Sequence, residues 1–306
     1  VAIALVSDQQ IEYRLHGFAD IDHKVAVTKD TLFEIGSVTK PLIALASLSM
    51  LQNGQWALEQ EIRALVTLKP SHKYSLAALL THRSGLPRLP ANMPLQDLTQ
   101  PYATYKKDDL LQSLQQTQLG DADFSYSNYG YGLLGFLLEL SLQQPLADIM
   151  RQKVLQPLAM NSAELQLPGY TNKNLASGYA LNGQKMAHWH FDALAGAGAV
   201  VASVEDMAQM LSSIFRLQQT DARIRQWLTP LDVDGEPKMT PGWMSDKNWL
   251  WHSGQTAGFS SVVVFDPQLK TGIVILSNLS APLNRQGFEL AQQFSQNEKV
   301  QEKTSK

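Results

Sequence analysis

Ser37-Val38-Thr39-Lys40 stands where a polar stretch ending in glycine, Thr31-Leu32-Phe33-Glu34-Ile35-Gly36, gives way to the most apolar run of the chain. That run, Pro41 to Leu51, closes at Asn53-Gly54. An apolar stretch with an Asn-Gly stop predicts a buried helix beginning near Ser37. Pro41 fits only its first turn, where the missing N–H has no partner to lose. Residues three apart share a helix face, so the spacing places Lys40 directly behind the Ser37 hydroxyl. A lysine buried against an apolar helix loses hydration and its pKa falls. Such an amine can take a serine proton. The helix N-terminus beneath favours a developing oxyanion. A four-residue motif also arises by accident in long chains, so other features must support it.

The chain has 306 residues, 44% hydrophobic and 17% charged, with a net charge of −3. This is enough for a sizeable core in one or two domains. The near-neutral balance gives no support for a nucleic-acid or anionic-membrane partner. Run 41–51 is too short to span a bilayer. There is no cysteine, which removes a thiol nucleophile, disulfides and cysteine-ligated metal. No signal peptide is visible. Val1 to Val6 already has the pattern of a strand, so the chain opens inside a folded element and targeting information can lie upstream.

Residues 1–6 and 11–15 predict a hairpin. From about 55 to 185 the pattern is mostly helical with polar loops, including helices at 76–80, from 108, and at 129–142. Ser203-Val204-Glu205-Asp206 predicts a capped helix to about 215. Strands at 248–254, 260–265 and 272–277, a helix at about 283–294 and a frayed polar tail from Ser295 complete the chain. Strands at both ends with helices between predict an α/β (α+β) fold: one antiparallel sheet built from the two termini and flanked by helices. Residues 1–55 and 186–306 form the expected discontinuous α/β domain, with 56–185 as an inserted helical domain and a groove between them.

Two further motifs fit such a groove. Tyr126-Ser127-Asn128 precedes an apolar helix: a phenol can relay a proton to a leaving group, and an amide can hold a carbonyl. Tyr170-Thr171-Asn172 repeats the pattern, but in a polar loop after Pro168-Gly169. The strand segment His252-Ser253-Gly254-Gln255 can wall a groove, its glycine admitting close backbone approach. A literal Lys270-Thr271-Gly272 falls in the turn between the last two strands, roughly 20 Å away at strand rise, and is set aside. His188 and His190 form a His-x-His pair without an evident third ligand. His82 is expected to hold its own loop together. The tryptophans at 243, 249 and 251 are expected mostly in the core.

With these motifs in this order, the chain resembles the penicillin-recognising serine hydrolases of the class C β-lactamase and DD-carboxypeptidase type. Phe33-Glu34-Ile35-Gly36 before the serine, Leu79 to Pro87, Ala193 to Val201, and Asp266-Pro267 with Gly272 to Asn278 are similar to that family's landmarks, so the resemblance covers nearly the whole chain. It implies Ser37 as nucleophile, Lys40 as its base and Tyr126 as partner in proton transfer. It implies that Asn128 binds a substrate amide carbonyl, that His252, Ser253 and Gly254 line the opposite wall, and that the backbone N–H groups of Ser37 and Gln255 form an oxyanion hole. It also implies a D-alanyl peptide or β-lactam-like substrate, no metal or organic cofactor, and a periplasmic or secreted setting. An esterase acting on small acyl esters, or a penicillin-binding sensor that is acylated without turnover, would carry the same motifs.

One departure stands out. β-Lactamases of this type usually carry lysine where this chain has His252. An unperturbed imidazole is mostly uncharged at neutral pH and gains its proton between pH 8 and 6. Weak recognition of carboxylate-bearing substrates at pH 8, strengthening toward pH 6, is the expectation that follows. The nearest basic residues in sequence are Lys238 and Lys247.

Overall fold

Both chain ends lie in one sheet. In the computed structural model, which describes residues 1–304 except 67–71, 95–96, 98, 232, 234–236 and 238, its strands run in the order Met244–Asp246, Trp249–Gln255, Ser260–Asp266, Thr271–Ser277, Ala2–Ser7 and Ile11–Leu15. All neighbours are antiparallel, and the first strand meets the last with Ala4 opposite Val274. Strand alternation sorts the side chains. Val263, Phe265, Val274, Leu276, Ala4 and Val6 enter the main core. Val262, Val264, Ile273, Ile275 and Leu5 form a second cluster on the other face. Both faces are covered, so these strands are continuous apolar runs rather than alternating ones.

The second face is covered by helix Asn284–Thr304, which inserts Ala291 and Phe294. The frayed tail expected from Ser295 is therefore corrected: the helix continues to Thr304. Ser295 is buried, with its hydroxyl 2.6 Å from that of Thr271. A polar run of Gln, Glu and Lys looks like a tail in composition, yet these are good helix formers.

Helix Thr39–Gln52 has every side chain from Thr39 to Met50 buried. A helix apolar on all sides belongs at the centre of a fold. It packs against helices Asn128–Leu142 and Ala222–Trp227 and the turn Ala195–Ala197. Its buried hydroxyls are satisfied internally, Ser47 donating to the Ile43 carbonyl and Ser49 to that of Ala46. Its start differs from expectation: Gly36–Val38 is a separate 3-10 turn, and the α-helix begins at Thr39.

The middle of the chain carries the expected helices Leu76–Leu80, Lys107–Gln116 and Asn128–Leu142, but it is not helical throughout. Glu164–Leu165 joins Val200–Ser203 and Leu32–Glu34 in a three-stranded sheet, and Gly178–Tyr179 pairs with Lys185–Met186. Strands of two residues leave no periodic signal, which is why the pattern missed them.

The capping box at Ser203 forms as expected. The Ser203 hydroxyl accepts the Asp206 N–H at 3.0 Å, and Asp206 Oδ2 accepts the Ser203 N–H and hydroxyl at 2.9 and 2.7 Å. Asp206 Oδ1 also accepts the Ser162 N–H at 2.9 Å, so one buried carboxylate ties two segments together. Asp206→Ala is expected to lower stability by about 2–3 kcal/mol, seen as a lower urea midpoint with an unchanged slope.

Candidate active site

The 3-10 turn presents Ser37 because the backbone around it is clamped. Gly36 adopts φ 51°, and a Cβ there would lie 2.9 Å from the Gln255 nitrogen. A Cβ on Gly254 would lie 2.0 Å from the Ile35 carbonyl oxygen. Both positions need glycine for this approach. Ser261 donates to the same Ile35 carbonyl at 2.8 Å, and Thr39 Oγ1 accepts the Val200 N–H at 3.0 Å. Strand Trp249–Gln255 thus lies directly against the turn bearing Ser37.

Lys40 is fully buried, and its Nζ lies 3.0 Å from Ser37 Oγ. It donates to the Ala197 carbonyl at 2.7 Å. Burial, and secondarily the charge of Arg88, hold its pKa well below the ordinary lysine value. An amine whose proton is disfavoured in this way is better able to accept one from the hydroxyl beside it. The Lys40 nitrogen also lies 4.8 Å from the centre of the Tyr126 ring. Burial raises the Tyr126 pKa, against the pull of its hydrogen bond with Ser37 and of the Arg88 charge. Tyr126 therefore holds its proton.

The flanks of Tyr126 are fixed by His82. The His82 carbonyl accepts the Ser125 N–H, and its Nδ1 accepts the Ser127 N–H at 3.0 Å. The imidazole stacks on the Tyr126 ring with centroids 4.5 Å apart. His82 thus does more than close its own loop: it supports Tyr126. Ser127 caps the following helix by accepting the Gly130 N–H, while its hydroxyl donates to the Pro87 carbonyl. Asn128 is buried at the helix start, off the groove lining. Its Nδ2 donates to the Tyr102 hydroxyl at 3.1 Å, and its Oδ1 has no partner among the described residues.

His252 is 3% exposed. Burial, then the nearby Lys40, pushes its pKa down to about 3. The swing expected between pH 8 and 6 is therefore not carried by His252, which stays neutral throughout. Its Nδ1 lies 2.8 Å from the Ser253 carbonyl and must carry the ring proton to donate there. Nε2 is left as a bare acceptor without a partner among the described residues. Ser253, Gly254 and Gln255 continue the wall, and the Gln255 side chain turns aside to donate to the Ser280 hydroxyl.

Ser37, Tyr126 and His252 to Gln255 share one groove of about 320 Å³, with Lys40, His82 and Asn128 behind its lining. Ser37, Arg88, Tyr126 and His252 line its polar part, and Met244, Trp251, Pro282 and Leu283 an apolar part. The two decoys lie elsewhere. Six residue steps, from Ser260 to Asp266, separate the Gln255 end of the sheet from the Lys270 turn, roughly 20 Å. Tyr170 lines a different cavity with Leu155 and Met160. His188 and His190 each direct Nε2 at a backbone carbonyl, of Ala176 and Tyr170 respectively. Lys247 sits in the turn before strand Trp249–Gln255, and Lys238 is outside the described residues. Trp227 and Trp243 meet in the core with their rings tilted at 48°, whereas Trp251 packs edge-on against Phe288 and reaches the groove lining.

Sequence reasoning missed Arg88, Glu34 and the buttress made by His82. Arg88 directly follows the loop Leu79 to Pro87, and that adjacency was the available signal. Glu34 lies three residues before Ser37, 3% exposed, and its Oε1 accepts the Trp189 N–H at 2.9 Å. Burial pushes its pKa up to about 7, against the pull of the Trp189 N–H.

The sequence pattern of the family described as Beta-lactamase matches residues 1–296. Protein flp of Staphylococcus aureus strain MW2 is 28% identical over 291 residues, covering 87% of this chain and 56% of that protein. Protein flp of strain COL is 27% identical over the same span. The chain thus spans about half the length of these relatives. A protein named Beta-lactamase from Escherichia coli strain K12 is 28% identical over 329 residues, covering 92% of this chain and 84% of that protein.

Glu34 gives the site a pH signature. Its carboxyl ordinarily titrates at 4.5 and does so at about 7 when folded, so between these values the folded chain keeps a proton that the unfolded chain has lost. Its contribution to stability is full below pH 4.5 and is lost as pH rises through 7. Wild type is expected to lose about 3 kcal/mol more than Glu34→Gln between pH 4.5 and 7.5, measured as the difference in unfolding free energy.

Proposed function

The chain belongs to the β-lactamase family, and on that footing we propose that it is a serine hydrolase working through a covalent acyl-enzyme, on D-alanyl peptides or β-lactam-like amides. The observation that carries this reading is the 3.0 Å contact between Ser37 Oγ and the buried Lys40 Nζ, with the Tyr126 phenol beside it. Ser37 attacks the substrate carbonyl carbon while its proton passes to the neutral Lys40 amine. Negative charge develops on the carbonyl oxygen and is met by the N–H groups of Ser37 and Gln255. Collapse of the tetrahedral adduct breaks the bond to the leaving group, which takes the proton from Lys40 through the Tyr126 hydroxyl. Water then attacks the ester carbonyl carbon, giving a proton to the same pair. The acyl–Oγ bond breaks, the acid product departs, and the pair passes that proton to Ser37 Oγ, which restores the enzyme. In this reading Asn128 binds the substrate amide carbonyl, for which its Nδ2 must exchange the Tyr102 hydroxyl for the substrate, and His252, Ser253 and Gly254 wall the far side. A peptidoglycan-type peptide as substrate places the enzyme in the periplasm or outside the cell. No described helix is long and apolar enough to cross a membrane.

A second reading, hydrolysis of small neutral esters, is favoured by one observation. The groove wall at His252 offers an uncharged acceptor where a cation would clamp a carboxylate. Intact-protein mass spectrometry after exposure to a penicillin and to a short-chain nitrophenyl ester, followed over time, separates the readings. A penicillin adduct that forms and decays supports the first. Ester turnover without a penicillin adduct supports the second. An adduct that persists at one equivalent points to a sensor.

Ser37→Ala is expected to abolish adduct formation and to cost several orders of magnitude in turnover while the fold is kept. Retention of more than a few percent of the activity would sink the assignment. Lys270→Ala removes a partly exposed ion pair with Asp8 and is expected to change stability by less than about 1 kcal/mol and activity not at all. His252→Ala is expected to lower kcat/KM at least tenfold, by opening the wall and removing the Nε2 acceptor. The reverse pattern, in assays of the two variants side by side, would move the third motif to Lys270.

A further inference from the structure

The groove walls are almost devoid of charge. His252 is neutral, Tyr126 holds its proton, and Lys40 is buried behind Ser37. Among the described residues lining the groove, Arg88 alone carries a permanent charge. Its backbone is rigidly placed, since its carbonyl accepts the Asn128 and Tyr129 N–H groups at 3.0 and 3.2 Å. Its guanidinium lies 5.2 Å from the centre of the Tyr126 ring, and the residue is solvent-exposed. Among the described residues no carboxylate lies within ion-pair distance of it and no group accepts a hydrogen bond from its side chain. An arginine held over a ring keeps its N–H donors in one plane, matched to a planar acceptor with two oxygens.

We propose that Arg88 is the anion anchor of this groove, gripping a carboxylate carried by the leaving-group part of the substrate. The side follows from Tyr126. In the proposed mechanism its hydroxyl delivers the proton to the departing atom, so a cation over the same ring reaches substituents of the leaving group. The apolar part at Met244, Trp251 and Leu283 is left for an apolar substituent. Arg88 thus supplies from the Tyr126 wall the charge that His252 does not supply from the opposite wall. This rests on the acyl-enzyme reading and narrows it to substrates with an anionic leaving group, such as a C-terminal carboxylate.

The test compares the native chain with Arg88→Gln and Arg88→Lys on two carboxylate/neutral pairs. The first pair is benzylpenicillin and its methyl ester, read as acylation rate. The second is N-acetyl-D-alanyl-D-alanine and its C-terminal amide, read as Kd by calorimetry in a Ser37→Ala background, where chemistry is absent. Arg88→Gln is expected to lower the carboxylate-to-neutral ratio ten- to a hundredfold in both readouts, and Arg88→Lys to restore part of it. Raising salt from about 50 to 500 mM is expected to lower the ratio in the native chain and not in Arg88→Gln. An unchanged ratio overturns the proposal, as does failure of the Ser37→Ala protein to prefer the carboxylate ligand. A parallel loss on both members of a pair also overturns it. If the acid limb of the pH profile then moves, Arg88 acts through Lys40 and Tyr126 instead. Carboxylate binding that depends on Arg88 in a chain without turnover would keep the anchor and remove the hydrolase reading. Turnover with binding indifferent to Arg88 would do the opposite.

Discussion

A lysine with no exposed surface is the constraint on which the rest of this structure depends. Burying an ammonium is costly, and the group answers by giving up its proton. Lys40 is tolerated because two partners are fixed around its nitrogen, the Ala197 carbonyl and the Ser37 hydroxyl. Each partner must come from a different part of the chain. The turn Ala195–Ala197 packs on helix Asn128–Leu142, and the turn Gly36–Val38 is pinned by strand Trp249–Gln255. The central helix is apolar on every face, so it has no freedom to rotate Lys40 toward water. Desolvation that would be a liability elsewhere becomes the source of a base beside a hydroxyl.

The same long-range logic places Tyr126. It lies in a loop, where a lone phenol would be mobile, yet its neighbours on both sides are hydrogen-bonded to His82 and its ring is stacked on that imidazole. Ser127 adds a helix cap and a bond to Pro87, so the loop bearing His82 and Arg88 is hydrogen-bonded to the loop bearing Tyr126. The 3-10 turn Gly36–Val38 carries the nucleophile, helix Thr39–Gln52 the base, and this paired loop the proton relay. The sheet edge at Gln255 closes the third side.

Much of this was legible in the chain itself. The three-residue spacing of Ser37 and Lys40, the individual strands at both chain ends and the cap at Ser203 follow from periodicity and local chemistry, because each depends on residues a few positions apart. The two decoys could be set aside for the same reason, since a turn and a polar loop declare themselves locally. Elements of two residues, such as Glu164–Leu165, could not be read, because their pairing is supplied by partners far along the chain. Nor could the neutrality of His252. Its residue type suggests a switch near neutral pH, but burial against the sheet decides otherwise, and burial is a property of the assembled fold. Arg88 escaped for a related reason. A search for a compensating cation near His252 in sequence misses a residue brought to the groove from the other wall.

The removal of charge from this groove also changes how the remaining charge acts. In water, a guanidinium several ångströms from a reacting centre is heavily screened. Here the adjoining groups are a neutral imidazole, a protonated phenol and a buried amine on which burial disfavours the proton, with apolar Met244, Trp251 and Leu283 beyond them. None can form a competing ion pair. The field of Arg88 therefore falls in the same direction on every group of the site: it disfavours a proton on Lys40 and favours negative charge near Tyr126. A single exposed cation can in this way serve two steps at once, holding an anionic substrate and keeping the base free to accept the Ser37 proton. Placing a lysine at His252 would add a second cation near Lys40. Whatever that gained in carboxylate binding, it would lower the Lys40 pKa further and weaken the base that acylation needs.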